Sequence, residues 1–274
     1  MRTTTRLAAA LVQPAVRATT ALSGGSGTLT LVGWHRIGDA RDGLTTTPED
    51  FARHLDVLEE WGATVLPLDE AYRLLAAGRL PDRAVALTFD DGYASVVEQA
   101  WPELRRRGLP ATLFAVSDYV LRGGRFPWDH RHRPDSDLTR LATAAALCDA
   151  AAEGLDIGSH TATHRWLPGL RPQQVADELV RSRATLEDLL GRPVTSFAYP
   201  MGGWDERIRD QVEAAGYEIA ITTERGRNSP GHDPVSLRRA FAFDRPRDVR
   251  RQLDGAFTWM RAIERRRNRK EPQW

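Results

Sequence analysis

Eight short apolar runs alternate with helix-like segments along this chain of 274 residues, and the alternation limits the folds open to it. Strands that are almost wholly apolar are typical of a parallel sheet covered by helices. Eight β/α units would suit a closed barrel, so the sequence predicts an α/β fold of about seven to eight parallel strands. The predicted strands are residues 29–34, 63–66, 84–89, 111–116, 155–158, 194–199, 217–222 and 236–241.

The helical segments carry their own start and stop signals. In the first one Thr47 offers an N-cap hydroxyl, Pro48 suits the first turn and Gly62 suits the end. Apolar residues recur at helical spacing between them, and we expect His54 to lie on the solvent-facing side. Further helices are predicted at residues 69–78, before 107–108, and at 137–154, 173–190, 206–215 and 248–265.

The sequence indicates a single domain, residues 29–257, with no internal repeat or Pro/Ser-rich linker. Residues 258–274 form a basic tail, and we expect its Arg-rich part, residues 261–270, to be a solvated helix face and tail rather than a binding site. Residues 1–28 combine a helix-like segment with a Gly/Ser-rich linker. Their basic, then apolar start imitates a secretory signal, but the apolar run is shorter than the usual length of about 7–15 residues. We expect a cytoplasmic protein or one peripheral to a membrane, with secretion as the alternative.

The composition argues against several classes of function. A formal net charge of +1 gives no reason to expect a nucleic-acid partner. No stretch approaches the roughly 20 apolar residues of a membrane span. Cys148 is the only cysteine, so no disulfide can form within the chain, and its Ala-rich setting favours a small buried residue over a nucleophile.

Two adjacent carboxylates, Asp90 and Asp91, follow the third predicted strand in the run LTFDDGY. The carboxyl ends of parallel strands are where α/β folds gather their active sites. A buried pair of carboxylates costs free energy unless it is compensated, and a metal would do this for one and leave the other as a base. An Asp pair also commonly caps a helix, and this segment alone does not decide between the two interpretations.

Two histidines, His160 and His164, follow the next strand but one in the run GSHTATH. Histidines four residues apart on one helical turn can bind one cation through their imidazoles. Such a pair is more often incidental, but its position at a strand end, like that of the Asp pair, strengthens the metal interpretation. Two histidines and one carboxylate make a three-ligand site with positions open for water and substrate.

A third segment, FAYPMGGW, follows the predicted strand at residues 194–199. Its Pro200, Gly202 and Gly203 favour a turn with exposed backbone amides, which could bind a developing oxyanion. By itself the segment is more typical of a plain turn between a strand and a helix.

In order and spacing, these segments resemble the first three motifs of the polysaccharide deacetylases, the family with the NodB homology domain, also called carbohydrate esterase family 4. The resemblance runs over residues 29–257. It implies an irregular (β/α) barrel that carries Zn²⁺ or a similar divalent cation, such as Co²⁺, Ni²⁺, Mn²⁺ or iron. Carried over by position, Asp90 would be the catalytic base, Asp91, His160 and His164 the metal ligands, and the Met201 amide part of the oxyanion hole.

The chain departs from the commonest family pattern at two places. Ala198 stands where many members have an Arg, and the late Leu-x-His motif, whose histidine is the usual general acid, is absent. The run GWHR around His35 instead resembles the Tyr-His-x motif of the poly-N-acetylglucosamine deacetylase branch, whose acid comes from the first strand. We therefore predict that His35 is the acid, the alternative being a structural histidine. Arg238 or Arg239 could orient Asp90 in place of the missing Arg.

The resulting prediction is a hydrolase that removes an N-acyl group, acetyl before formyl, from an amino sugar. Polysaccharide, lipid-linked saccharide and small glycoside all remain open as substrates. The candidates for further substrate contacts are Tyr93, Tyr199, Trp204 and Arg239.

Two other functional interpretations of the same residues remain open. Two histidines and a carboxylate also form the iron site of non-haem Fe(II) oxygenases. The spare carboxylate and the oxyanion-type turn argue against that reading. The third possibility is a carbohydrate-binding protein with an inactive relict of the site.

Overall fold

The structure, a computed structural model, describes residues 27–40, 42–132, 136–242, 246–256, 258–268 and 270–271. Apart from residues 27 and 28, the N-terminal segment and its targeting prediction lie outside this range. Within it, no helix is both long enough and apolar enough to cross a bilayer.

A curled parallel sheet is the frame of the molecule. Its strands are β1 (Thr30–Trp34), β4 (Thr64–Val65), β5 (Ala84–Phe89), β6 (Thr112–Ala115), β7 (Asp156–Ser159), β8 (Ser196–Ala198), β9 (Ile219–Ile221) and β10 (Ala240–Phe241), and a separate parallel pair is β2 (Arg36–Ile37) and β3 (Thr45–Thr46). The order across the sheet is β10-β1-β5-β6-β7-β8-β9, and β4 pairs with the start of β5. Over the described residues, β9 meets the segment before β10 through one isolated parallel bridge, Ile221 to Leu237. This irregular barrel confirms the predicted fold class.

Helices connect the strands in the predicted alternation. They are α1 (Pro48–Trp61), α2 (Leu68–Ala76), α3 (Trp101–Arg107), α4 (Ser117–Arg122), α5 (Ala144–Ala152), α6 (Pro172–Leu190), α7 (Glu206–Ala214), α8 (Pro246–Leu253) and α9 (Arg261–Arg267). Two predictions were too long. Residues 137–139 form a separate 3-10 turn, and α5 begins only after Thr143, whose hydroxyl accepts a hydrogen bond from the Ala146 amide. The predicted helix 248–265 is broken near Gly255, which has a φ of 88°.

Helix α1 has the predicted termini, but one of its residues, His54, does not lie where it was predicted. Thr47 caps it by accepting a hydrogen bond from the Asp50 amide, and Gly62 ends it with a left-handed φ of 75°. His54 is fully buried, and its Nδ1 accepts a hydrogen bond of 3.3 Å from the Trp34 indole. The prediction of a surface histidine was therefore wrong, because position 54 belongs to the apolar stripe of the helix.

Side chains alternate between two sides of β5 and so divide the core. Val85 and Leu87 belong to a large cluster packed against helices, whereas Ala84 and Ala86 belong to a smaller cluster on the other side. We call the side of Ala84 and Ala86 the interior face. Because side chains alternate along a strand, the continuation of β5 directs Asp90 to the interior face as well.

Candidate active site

Three side chains converge at the carboxyl ends of β5 and β7. Nε2 of His160 lies 3.5 Å and Nε2 of His164 lies 3.3 Å from the same oxygen, Oδ1 of Asp91. The three candidate ligand atoms lie within 4.8 Å of one another, and all three residues are buried. These residues could hold one metal ion.

Strand β8 fixes the orientation of one of the two imidazoles. Nδ1 of His160 donates a hydrogen bond of 2.8 Å to the backbone carbonyl of Ala198, which leaves Nε2 facing Asp91. A hydrogen bond of this kind at the far ring nitrogen is typical of metal-binding histidines. His164 is held by ring packing, since its centroid lies 4.6 Å from that of Trp128 and 5.7 Å from that of Phe126.

The turn that carries the histidines is tied to a helix behind it. The Thr163 amide donates a hydrogen bond of 2.8 Å to Glu178 of α6, and the Thr163 hydroxyl bonds the same carboxylate. The Thr161 hydroxyl accepts a hydrogen bond of 2.9 Å from the His164 amide. The sequence did not predict the role of Glu178, because it looks like any polar residue of an amphipathic helix.

Backbone strain is concentrated at the same motifs. Among the described residues, five non-glycine residues have a positive φ. Four of them belong to the motifs: Asp91 at 75°, Thr161 at 67°, His164 at 60° and Met201 at 56°. A left-handed non-glycine residue costs about 1–3 kcal/mol and persists only where the surroundings enforce it.

The second carboxylate of the Asp pair has its own partner. Arg239 donates two hydrogen bonds to Asp90, NH1 to Oδ1 at 2.7 Å and NH2 to Oδ2 at 2.5 Å, and both residues are buried. Gly33 of β1 lets the arginine pass, because a Cβ there would lie 3.2 Å from Cδ of Arg239. Of the two arginines predicted as candidates, Arg239 is therefore the one that contacts Asp90.

The charges of these groups shift one another's pKa values. Burial alone would raise the pKa of Asp90, but Arg239 and His160 together bring it below its usual value. Burial also acts to raise the pKa of Asp91, yet the two histidines hold it well below the usual range. For His160 the effect of burial is outweighed by both aspartates, so its pKa is raised, whereas burial keeps the pKa of His164 lowered.

His35 follows β1 and lies in the field of the same charges. Its ring stacks on Phe241 at a centroid distance of 4.4 Å. Burial lowers the pKa of His35, and the nearby charges of Asp91 and Asp90 partly offset this effect. His232, elsewhere in the chain, accepts a hydrogen bond from the Ser229 amide within its own turn.

The predicted substrate contacts divide into two groups. Tyr93 and Tyr199 are fully buried, and their hydroxyls donate to Asp129 and to the Val235 carbonyl, respectively. Arg239 is also fully buried, against Asp90. In these positions the polar groups of all three side chains are bonded within the protein, and their contact with a substrate stays a prediction. Trp204 is partly exposed, and its indole lies at the surface beside the third motif.

A buried network of ion pairs and hydrogen bonds holds the loop that contains Trp128 and Asp129, beside His164. Arg36, directly after His35, contacts Asp129 at 2.5 Å and Asp42 at 2.6 Å. Tyr93 bonds Asp129 and accepts a hydrogen bond of 3.1 Å from the Trp128 indole. The ring of Trp128 that packs on His164 is thereby anchored to the segment that carries His35.

Comparison with known proteins identifies the matching region. The family model described as polysaccharide deacetylase matches residues 77–220, more than half of the chain. This range contains Asp90, Asp91 and both motif histidines but neither His35 nor Arg239. A Bacillus subtilis protein named as a polysaccharide deacetylase, YxkH, is 28% identical over 212 residues, which cover 77% of this chain and 70% of that protein.

Two further proteins are similar to this chain: one is named as an N-deacetylase, and the other has a solved structure. The poly-β-1,6-N-acetyl-D-glucosamine N-deacetylase of Staphylococcus epidermidis is 28% identical over 76 residues, 28% of this chain and 26% of that protein. The solved structure of IcaB from Ammonifex degensii superposes with a TM-score of 0.72 at 26% identity, over 85% of this chain and 97% of IcaB.

Proposed function

The chain belongs to the polysaccharide deacetylase family, carbohydrate esterases that hydrolyse the acetamide bond of N-acetyl amino sugars, and we propose that this member does so by a metal-dependent mechanism. One observation carries the proposal. Three buried ligand-type side chains converge on one point, while the adjacent carboxylate of Asp90 is held apart by Arg239. A site with three ligands and a separate base is suited to the hydrolysis of an amide.

The ligand set of Asp91, His160 and His164 fits a divalent cation. Two imidazoles and one carboxylate are typical ligands of zinc, and the Ala198 carbonyl already fixes one imidazole in the required tautomer. We therefore propose Zn²⁺ as the native ion, with Co²⁺, Ni²⁺, Mn²⁺ or iron as alternatives. Such an ion would polarise the amide carbonyl and lower the pKa of a bound water.

Asp90 is the proposed general base. The two hydrogen bonds from Arg239 occupy both of its oxygens and fix the plane of the carboxylate. Arg239 also keeps the pKa of Asp90 low, so that Asp90 is ionised and ready to take a proton from water at neutral pH. In this proposal Arg239 takes over the role of the Arg that is missing at Ala198.

His35 is the proposed general acid and the Met201 amide the proposed oxyanion donor. His35 comes from β1, next to β5, and the charges of both aspartates act on it. The left-handed turn at Met201 follows β8, next to the strand of the histidines. A proton passed from His35 to the sugar nitrogen would release the amine, while a backbone amide at position 201 would stabilise the developing negative charge.

The substrate that we propose is an N-acetyl amino sugar within a saccharide. The activity for which the Staphylococcus epidermidis relative is named supports N-acetylglucosamine as the first sugar to test. A non-haem iron oxygenase is the less favoured alternative, because the paired carboxylate of Asp90 has no use in that chemistry. An inactive saccharide-binding protein is also less favoured, since the residues proposed as base and ligands are all present.

A panel of N-acetylated and N-formylated sugars and oligosaccharides, assayed for released acid with Zn²⁺ or Co²⁺ supplied, tests the proposal. We expect acetate release that disappears after chelation and returns when the metal is restored. Release that depends on oxygen would support the oxygenase instead. Saccharide binding without any release of acid would support the inactive relict.

A further inference from the structure

The C-terminal helix α9 has one side that is buried. Glu264 is 3% exposed, and Asn268, one turn further and directly after the helix, is 6% exposed. Both contact residues 223–225, which follow β9 and which we call the β9 exit segment. We propose that Asn268, anchored by Glu264, is a positioning residue that acts through the β9 exit segment on the Met201 turn and on Arg239. This inference rests on the proposed function and adds the C-terminal tail to the catalytic unit.

Two sets of contacts hold the β9 exit segment against α9. The backbone amide of Arg225 donates a hydrogen bond of 2.9 Å to Oε2 of Glu264, and the Arg225 guanidinium forms an ion pair with the same carboxylate. Nδ2 of Asn268 donates a hydrogen bond of 2.8 Å to the Thr223 hydroxyl. Buried polar groups cost free energy unless they are bonded, so both ends of the segment are tied to defined partners on α9.

The third motif packs directly on one end of this segment. Gly202 has a left-handed φ of 68°, and a Cβ at this position would collide with the Thr223 hydroxyl and lie 2.7 Å from Nδ2 of Asn268. The backbone at Gly202 therefore lies in close contact with the hydrogen-bonded pair of Thr223 and Asn268. Because Met201 directly precedes Gly202, this pair limits where the Met201 amide can lie.

The other end of the contact leads to the residue that orients the proposed base. The Arg239 amide donates a hydrogen bond of 3.1 Å to the Glu224 carbonyl, and the Arg239 guanidinium bonds Asp90. The β9 exit segment thus lies between the proposed oxyanion donor and the partner of the proposed base. A displacement of the segment would disturb both, and misplacing a reacting group by about 1 Å can lower a rate by about 100-fold.

The chemistry of the contact favours positioning over simple coverage of the core. A helix that only covers a core buries its apolar side chains and exposes its polar ones. Helix α9 does the reverse at two neighbouring residues, since Glu264 is buried and Ile263 is 58% exposed. Hydrogen bonds are directional whereas apolar contact is not, so they fix the relative position of two segments more sharply.

The test distinguishes a positioning role from a purely stabilising one. Acetate release from an N-acetylglucosamine tetrasaccharide, with Zn²⁺ supplied, is measured for wild type, Asn268→Ala, Thr223→Val and the double variant in the full chain. We expect kcat to fall about tenfold in Asn268→Ala with KM nearly unchanged, because an oxyanion contact acts in the transition state. Thr223→Val removes the same hydrogen bond, so the double variant should be no slower than either single one. Thr223→Ser, which keeps the hydroxyl, should retain most of the activity.

Ile263→Ala is the matched control, since it shortens an exposed side chain of the same helix and should leave kcat unchanged. Bound metal should be the same in all variants. Hydrogen exchange gives a second measurement that needs no turnover. The peptide that contains Met201 should exchange faster in Asn268→Ala than in wild type, and at the wild-type rate in Ile263→Ala.

The outcomes separate this inference from the proposed function. Unchanged kcat and exchange in Asn268→Ala, or equal losses in Ile263→Ala, would overturn the positioning role while the deacetylase function stands. No acetate release from wild type would contradict the proposed function itself. Hydrogen exchange would in that case still decide whether Asn268 holds the Met201 turn.

Discussion

The two ends of β5 are built in different ways. At its amino end Arg83 has a left-handed φ of 54°, is exposed, and donates a hydrogen bond of 2.5 Å to the Trp61 carbonyl. At its carboxyl end Asp90 and Asp91 are buried and ion-paired, and Asp91 is strained. The strain at the exposed Arg83, at the amino end, is explained by its place in a turn. Buried charge and strain together at the other end are costly for stability and are expected where chemistry is done.

The largest expected difference between the two ends is in catalysis. Asp90→Asn should lower kcat by about 10⁴-fold, the upper end of the range for a positioned proton acceptor, with bound metal nearly unchanged. Asp82→Asn, at the amino end of the same strand, should leave kcat unaltered. Turnover and metal content by elemental analysis are measured for both. A value of kcat within about tenfold of wild type in Asp90→Asn would exclude it as the base, since that is only ~1.4 kcal/mol.

The next largest effect concerns stability. Arg239→Met leaves Asp90 buried without its counter-charge, so we expect the free energy of unfolding to fall by about 3–5 kcal/mol. Arg83→Met, which removes an exposed guanidinium at the other end of β5, should change it by less than about 1 kcal/mol. Urea denaturation of both variants measures this. An equal fall in the free energy of unfolding in the two variants would mean that losing the arginine costs the same at either end of β5.

The pH dependence of stability sharpens the same prediction. The pKa of Asp90 in the folded protein lies below its usual value, so ionised Asp90 stabilises the fold above about pH 4. This contribution is lost as the pH falls through the lowered pKa. Arg239→Met raises that pKa, and it should therefore reduce or reverse the acid-side loss of stability seen in wild type.

A smaller effect on turnover is expected at His35. His35→Ala should lower kcat by about 10²-fold with metal retained, the lower end of the range for a general acid. An acid must be protonated, and burial lowers the pKa of His35, so activity should decline as the pH rises through that lowered pKa. A pH profile of kcat/KM measures this decline. If the alkaline decline persists unchanged in His35→Ala, the histidine is structural.

The smallest expected effects on stability come from relieving backbone strain at Thr161, at the carboxyl edge of the sheet, and at Arg83, at its amino edge. Thr161→Gly relieves a β-branched residue at a φ of 67° but removes the hydroxyl that holds the His164 amide. We expect the free energy of unfolding to change by less than about 1 kcal/mol, since the two contributions are similar in size. Turnover should fall severalfold because the ligand turn loosens. Arg83→Gly should change stability equally little and leave turnover intact, which kinetics and thermal melting together can check.

Local patterns in the sequence predicted most of the frame. The eight β runs correspond to the eight strands of the sheet, and the caps at Thr47 and Gly62 were predicted correctly, because these depend on nearby residues alone. The error at His54 was avoidable, since the residue lies four positions before the buried Leu58 on the same helix face. The broken helix after Leu253 also had a local signal in Gly255.

Contacts between distant segments were beyond what the sequence could decide. Arg239 and Arg238 were equal candidates, and only the pairing of β10 with β1 and of β1 with β5 brings one of them to Asp90. The hydrogen bond of Tyr93 to Asp129 was equally beyond prediction, because Asp129 lies in a loop that has no periodic pattern. The roles assigned to the site residues stay predictions until the variants above are measured.

The pairing of β1 with both β5 and β10 has a consequence for how the protein folds. Val32 lies beside Ala240, more than two hundred positions along the chain, and such long-range pairs form slowly because a large loop must close first. Until β10 docks, Arg239 is absent and Asp90 would be a buried carboxylate without a partner. Docking of β10 and completion of the proposed site would then be one late event, so partly folded chains should have no turnover.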